Sequence, residues 1–171
     1  MSASETDAVL DWWQRNIGDR NNSAARALAA RLRRAGAVEA LAEQQVHQLG
    51  RRMGLNDPAD GPRLADIART LAEVRENSSE TLFRRLGPSK PDAEDAVLSR
   101  LRFQRLLRSE GEERLTAVRR AITMADRRCN VAQLGRDLRW LDNERTLQRW
   151  CFDYFRGDES AASPNMITKD E

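Results

Sequence analysis

Apolar positions recur at three- and four-residue intervals through most of the sequence, the signature of helices that bury one face. A first helix starts near Ser4 or Thr6, whose hydroxyls can cap it, runs through Val9, Trp12, Trp13 and Ile17, and stops at Gly18. The capping cluster Asn21, Asn22 and Ser23 opens a second, with Ala25, Leu28 and Leu32 on one side and an end before Gly36. A third spans residues 38–53. The next stretch, GLNDPADGP, cannot continue a helix and must be a loop. Leu64, Ile67, Ala68, Leu71 and Val74 then mark a helix over residues 63–76, followed by a short one over 79–86.

The segment from Gly87 to Asp92, with two prolines in four residues, reads as a linker. Four further helices are expected over residues 92–109, 111–126, 131–141 and 143–156. The pattern thus predicts an all-α fold of about nine helices in two small bundles, residues 1–88 and 92–157. Residues 158–171 are polar, acidic and unpatterned, and are expected to be disordered.

Composition supports this picture and removes whole classes of chemistry. The 171 residues are 40% hydrophobic, enough for a core without staples, and are rich in the helix formers Ala, Leu, Arg and Glu. Cys129 and Cys151 are too few for a disulfide framework and are expected to pack as small apolar residues. With His47 as the single histidine, a Cys/His zinc site is nearly excluded. His47, flanked by glutamines, reads as an ordinary helix residue, and no glycine-rich phosphate loop is present. Asp92, Glu94 and Asp95 fall where a helix N-terminus is expected and are explained by its dipole. No enzyme, metal or cofactor is expected. Without a spanning apolar run or a signal-like start, the expected location is cytoplasmic.

Charge changes the picture most. The formal net charge is only +2, yet Lys90 and Lys169 are the only lysines and the other 27 cations are arginines. Arginine suits bidentate phosphate contacts and base stacking, although a GC-rich coding sequence produces the same bias. Residues 20–55 carry +5 and residues 97–149 carry +6, each flanked by segments of −3. Such blocks suit a local polyanion-binding surface on a nearly neutral molecule. Helical wheels place Arg26 and Arg33 opposite Leu28 and Leu32, with Arg34 beside them. They also turn Arg136 and Arg139 away from Leu134, Leu138 and Leu141, and Arg145 and Arg149 away from Leu147, Trp150, Cys151 and Tyr154. Arg119 with Arg120, and Arg127 with Arg128, add doublets. For any single arginine a solvated face is the simpler reading. Trp12, Trp13, Trp140, Trp150, Phe152 and Phe155 are assigned to core packing before base stacking.

The order LRRAG (32–36), LSRLRFQRLL (98–107), LTAVRRAITMA (115–125) and LGRDLRWLDNERTLQRWCFDYF (134–155) resembles the CasB family, the small subunit of the type I-E CRISPR Cascade surveillance complex. The resemblance covers most of residues 5–156 and contains no catalytic motif. It implies two helical bundles whose copies pair within Cascade beside the subunits that hold the guide RNA. It also implies a non-catalytic role in antiviral defence, holding the displaced single-stranded non-target DNA and stabilising the R-loop. Matched by motif, the implied nucleic-acid-binding residues are Arg33, Arg34, Arg100, Arg102, Arg119, Arg120, Arg136, Arg139, Arg145 and Arg149, to which the wheel adds Arg26. Where the family often has a basic pair, this chain has Asp142, Asn143 and Glu144. Two other readings are a helix-turn-helix regulator using residues 131–150, with Arg139, Asn143 or Arg145 at base edges, and an adaptor whose arginines meet acidic proteins.

Overall fold

The computed structural model describes residues 3–156, with side chains from Thr6 onward, so the capping expected of the Ser4 hydroxyl and the tail after Arg156 lie outside what is described, while Thr6 falls inside the first helix and not at its start. The first helix, α1 (Ala3–Trp13), widens into a π-helical turn over Gln14–Gly18. Asn16 Nδ2 donates to the Trp12 carbonyl that this turn loosens, at 2.9 Å. Gly18 is required there, because a Cβ would sit 2.5 Å from the Trp13 ring. Asn22 caps α2 (Ser23–Arg34) by accepting from the Ala24 and Ala25 amides, as the capping cluster predicts.

The single helix expected over 38–53 is two: α3 (Ala37–Leu41) and α4 (Gln44–Met53). A continuous helix would carry the buried stripe of Val46, Leu49 and Met53 back to Ala42 and Glu43. Instead Ala40 is buried, so the break resets the phase, and Glu43 turns outward to pair with Arg31 at 2.6 Å. After a short 3-10 turn, Pro58–Asp60, comes α5 (Gly61–Leu71), which ends five residues earlier than its pattern suggests. Beyond it, β1 (Glu76–Asn77) pairs in parallel with β2 (Arg128–Cys129), a short bridge that the helical periodicity does not anticipate.

The short helix α6 (Leu82–Leu86) precedes the proline segment. The helix expected from residue 92 starts only at α7 (Arg100–Arg108), capped by Ser99. Asp92 sits at a left-handed φ of 65°, and Leu98 is buried, with its amide on the Leu86 carbonyl at 3.1 Å and its own carbonyl accepting from the Tyr154 hydroxyl at 2.6 Å. Those ties keep residues 92–98 in an irregular, non-helical path. Asp95 therefore accepts from the Ser89 amide at 3.0 Å, and the dipole explanation for these acids does not hold. The remaining helices, α8 (Gly111–Met124), α9 (Val131–Arg139) and α10 (Glu144–Phe155), lie close to their expected bounds.

Ten α-helices and two very short strands among the described residues make the fold essentially all-α, as the periodicity predicts. Helix α5 lies against α2, α3, α4, α8 and α9, while α1 packs on α4 and α9, and α10 on α6. Elements on both sides of the proline segment thus share one continuous apolar core. Phe103 stacks on Tyr154 at 4.1 Å between ring centroids, and Phe83 meets Trp150 at 4.6 Å. Burial pushes the Cys129 thiol up to about 12 and leaves it unreactive, while Cys151 is half-buried. His47 is exposed, its Nε2 donating to the Leu41 carbonyl at 2.7 Å. No described helix is long and apolar enough to cross a membrane.

Candidate nucleic-acid interface

Two arginine-lined clefts emerge from this packing. The first, about 200 Å³, is lined by Ile17, Arg20, Arg26, Ala29, Arg33, Val74 and Arg75. Arg26 and Arg33, two turns apart on α2, share a face, and the early end of α5 brings Arg75 up beside them. Arg26 donates to the Arg20 carbonyl at 2.7 Å and Arg33 to the Ala72 carbonyl at 3.3 Å, so both guanidinium groups are aimed without a carboxylate partner. Burial lowers the Arg33 pKa from its ordinary value, Glu73 opposes the shift, and Arg127, Arg75 and Arg34 add repulsion. It remains a cation, as any arginine does near neutrality, crowded by like charge.

Glu73 anchors the wall behind this cleft. Its buried side chain accepts from Arg119 Nη2 at 2.7 Å on one oxygen and from Arg127 Nη1 at 2.5 Å on the other. Arg119 also donates to the Arg33 carbonyl at 2.7 Å. Arg127 is held at a left-handed φ of 57°, directly after Asp126 at 56°, a conformation costly for residues with a Cβ and fixed here by its bonds to Glu73. Arg119, grouped with Arg120 by the sequence as a nucleic-acid-binding candidate, therefore serves the junction of α2, α5 and α8 through its side chain.

The second cleft, about 220 Å³, lies between α9 and α10 and is lined by Arg136, Trp140, Asn143, Arg145, Thr146 and Arg149. Asp137, buried beneath it, accepts hydrogen bonds from Trp150 Nε1 at 2.8 Å, Gln133 Nε2 at 2.8 Å and Arg149. Burial nonetheless raises the Asp137 pKa, against the hydrogen bond from Trp150 and the charge of Arg149. Arg136 and Arg145 make no ion pair among the described residues. The acids next to them in sequence bond elsewhere, Asp137 as above and Glu144 with Gln148 at 3.2 Å. Arg139 donates to the Met53 carbonyl and lies 5.5 Å over the Trp140 ring.

The structure thus gathers Arg26 and Arg33 in one cleft and Arg136, Arg145 and Arg149 in the other. Arg34 is exposed beside the first. Arg100 and Arg102 are exposed on α7, where Arg100 borders a separate groove with Leu101 and Phe155, and Arg120 is exposed on α8. Sequence reasoning missed Arg20, Arg75 and Glu73 as parts of the first site. It noted Arg127 as half of a doublet without assigning it. Of the six aromatics assigned to packing, Trp12, Trp13 and Trp150 are buried, whereas Trp140, Phe152 and Phe155 are 48%, 71% and 47% exposed.

The family model for CRISPR-associated protein Cse2 matches residues 8–155, and no curated protein or solved structure matches the chain.

Proposed function

Because the chain belongs to the CRISPR-associated protein Cse2 family, also called CasB, and is thereby a Cascade subunit, we propose that its arginine clefts bind the displaced non-target DNA strand and stabilise the R-loop without catalysing any reaction. The observation that carries this reading is the first cleft, where Arg20, Arg26, Arg33 and Arg75 converge on one concavity with no lining acid. Like charges so gathered repel one another until a polyanion compensates them. Guide pairing and duplex opening nearly balance, so a modest number of contacts to the freed strand tips the exchange. Contacts of this kind release counterions and read no sequence.

In the same reading, the partners are the guide-RNA-bearing Cascade subunits and a second copy of the chain, and the apolar exposure at Val97, Leu101, Phe152 and Phe155 faces protein. The test is permanganate footprinting of the displaced strand on a matched target, with Cascade assembled with and without this chain. The chain should lengthen and strengthen the footprint, and its advantage should shrink as salt rises. An identical footprint in both assemblies overturns the proposal.

A further inference from the structure

Trp140 is the odd one among four tryptophans. Trp12 donates to the Gln45 carbonyl at 2.8 Å, Trp13 to the Leu71 carbonyl at 3.1 Å and Trp150 to Asp137, all three buried. Trp140 is about half exposed, and its indole N–H has no hydrogen bond among the described residues. A half-exposed indole in an apolar setting suggests a protein contact. This one sits elsewhere, sharing its cleft with Arg136, Asn143, Arg145, Thr146 and Arg149.

Its orientation is set from behind. Arg139 lies over the ring at 5.5 Å, and the same guanidinium bonds the Met53 carbonyl at the end of α4, so the indole is backed by an anchored cation. Trp140 follows the last residue of α9, and the Asn143 cap starts α10 only three residues later, which fixes the ring between two helix ends. A flat aromatic surface held rigid beside two arginines without carboxylate partners, Arg136 and Arg145, matches the needs of one nucleotide: a π-face for the base and cations for the flanking phosphates.

We infer that Trp140 is a stacking platform for one unpaired base of the bound single strand, with Arg136 and Arg145 gripping the phosphates on either side. The inference rests on the proposed strand-binding function and adds a non-ionic contribution to it. Stacking is blind to sequence because every base has a π-face, and it gives the cleft a hold on single-stranded DNA that duplex cannot share.

The test uses the full chain and a fluorescein-labelled mixed-sequence single-stranded oligonucleotide, alongside an abasic oligonucleotide of the same length, with affinity read by anisotropy across a salt series. Trp140→Ala should bind the normal strand about five- to hundredfold more weakly with an unchanged salt slope, and Trp140→Phe should retain most of the affinity. On the abasic strand the wild type should already be weakened, and Trp140→Ala should lose nothing more. This arm needs only wild-type protein for its first half, so it decides even where the alanine variant folds poorly. Equal binding of normal and abasic strands by the wild type overturns the inference. So does a Trp140→Ala variant that binds DNA normally but no longer enters Cascade, since the ring would then be a protein contact. If Arg136→Ala and Arg145→Ala weaken binding while Trp140→Ala does not, stacking fails and strand binding stands. If the wild type binds no single strand and leaves the Cascade footprint unchanged, both fail together.

Discussion

The two arginine clefts are built on the same plan and differ in what they join. In each, one buried carboxylate takes some of the arginines and leaves the others to face solvent. Glu73 gathers Arg119 and Arg127 from 46 and 54 residues away and leaves Arg20, Arg26 and Arg75, whereas Asp137 takes Arg149 from 12 residues away and leaves Arg136 and Arg145. The first acid therefore ties α8 and the β2 approach to the end of α5, across the proline segment. The second ties α10 to α9, its neighbour in sequence. A charge count along the chain treats all these arginines alike, but their roles divide by whether a carboxylate reaches them.

Removing the anchor of the long-range junction should have the largest effect. Glu73→Ala leaves Arg119 and Arg127, both about a fifth to a quarter exposed, without a countercharge and beside Arg33. Loss of one partner from a buried ion network costs about 3 kcal/mol. For a chain of this size that is a drop of roughly 6–12 °C in the unfolding midpoint. Thermal unfolding measures it directly, and Arg119→Ala should follow in the same direction. A midpoint within a degree of wild type for Glu73→Ala would show that the junction is held by packing alone.

The local anchor should matter less. Asp137→Ala strands the buried Trp150 N–H, but Arg149 is 31% exposed and can rehydrate, so the cost should be about 2 kcal/mol. Its pH dependence is distinctive. Burial raises the Asp137 pKa above the ordinary 3.8, so the folded state holds this proton more tightly than the unfolded chain does. Its contribution to stability is then present at and below pH 3.8 and lost as pH rises through the raised value. Measured as the difference between wild type and Asp137→Asn, stability should decline across that window. A difference that grows with pH would mean that Arg149 outweighs desolvation.

How far each region is legible in the sequence follows the same local and long-range divide. Helix starts marked by a capping side chain, at Asn22, Asn130 and Asn143, stand where the pattern puts them, since the cap and helix are neighbours. The break after Leu41 has no glycine or proline to announce it and depends on Arg31, 12 residues away from Glu43. The late start of α7 depends on Tyr154 holding Leu98, 56 residues apart. Wheels correctly turn Arg26, Arg34 and Arg145 to solvent. They could not show that Arg119 meets Glu73, because Glu73 itself reads as part of a longer α5. Trp140, at the edge of an apolar stripe, looks like core until the turn before α10 leaves it outside.

The smallest effect on stability should come from the arginines that neither acid reaches, and it separates binding from folding. Replacing Arg20, Arg26 and Arg75 by Ala in one variant, and Arg136 and Arg145 in another, removes exposed or half-buried side chains that make no ion pair among the described residues. Each variant should unfold within about 0.5 kcal/mol of wild type per site. Single-strand affinity should fall in both, with the logarithmic salt slope shrinking by about 0.7 for each phosphate that is no longer neutralised, so by about two in the triple variant. If both clefts hold one strand, a long oligonucleotide should register both decreases, and their free energies should add because the sites share no side chain. A triple variant with full affinity and an unchanged slope would leave the first cleft as a structural junction only, and would shift strand binding to the cleft that contains Trp140.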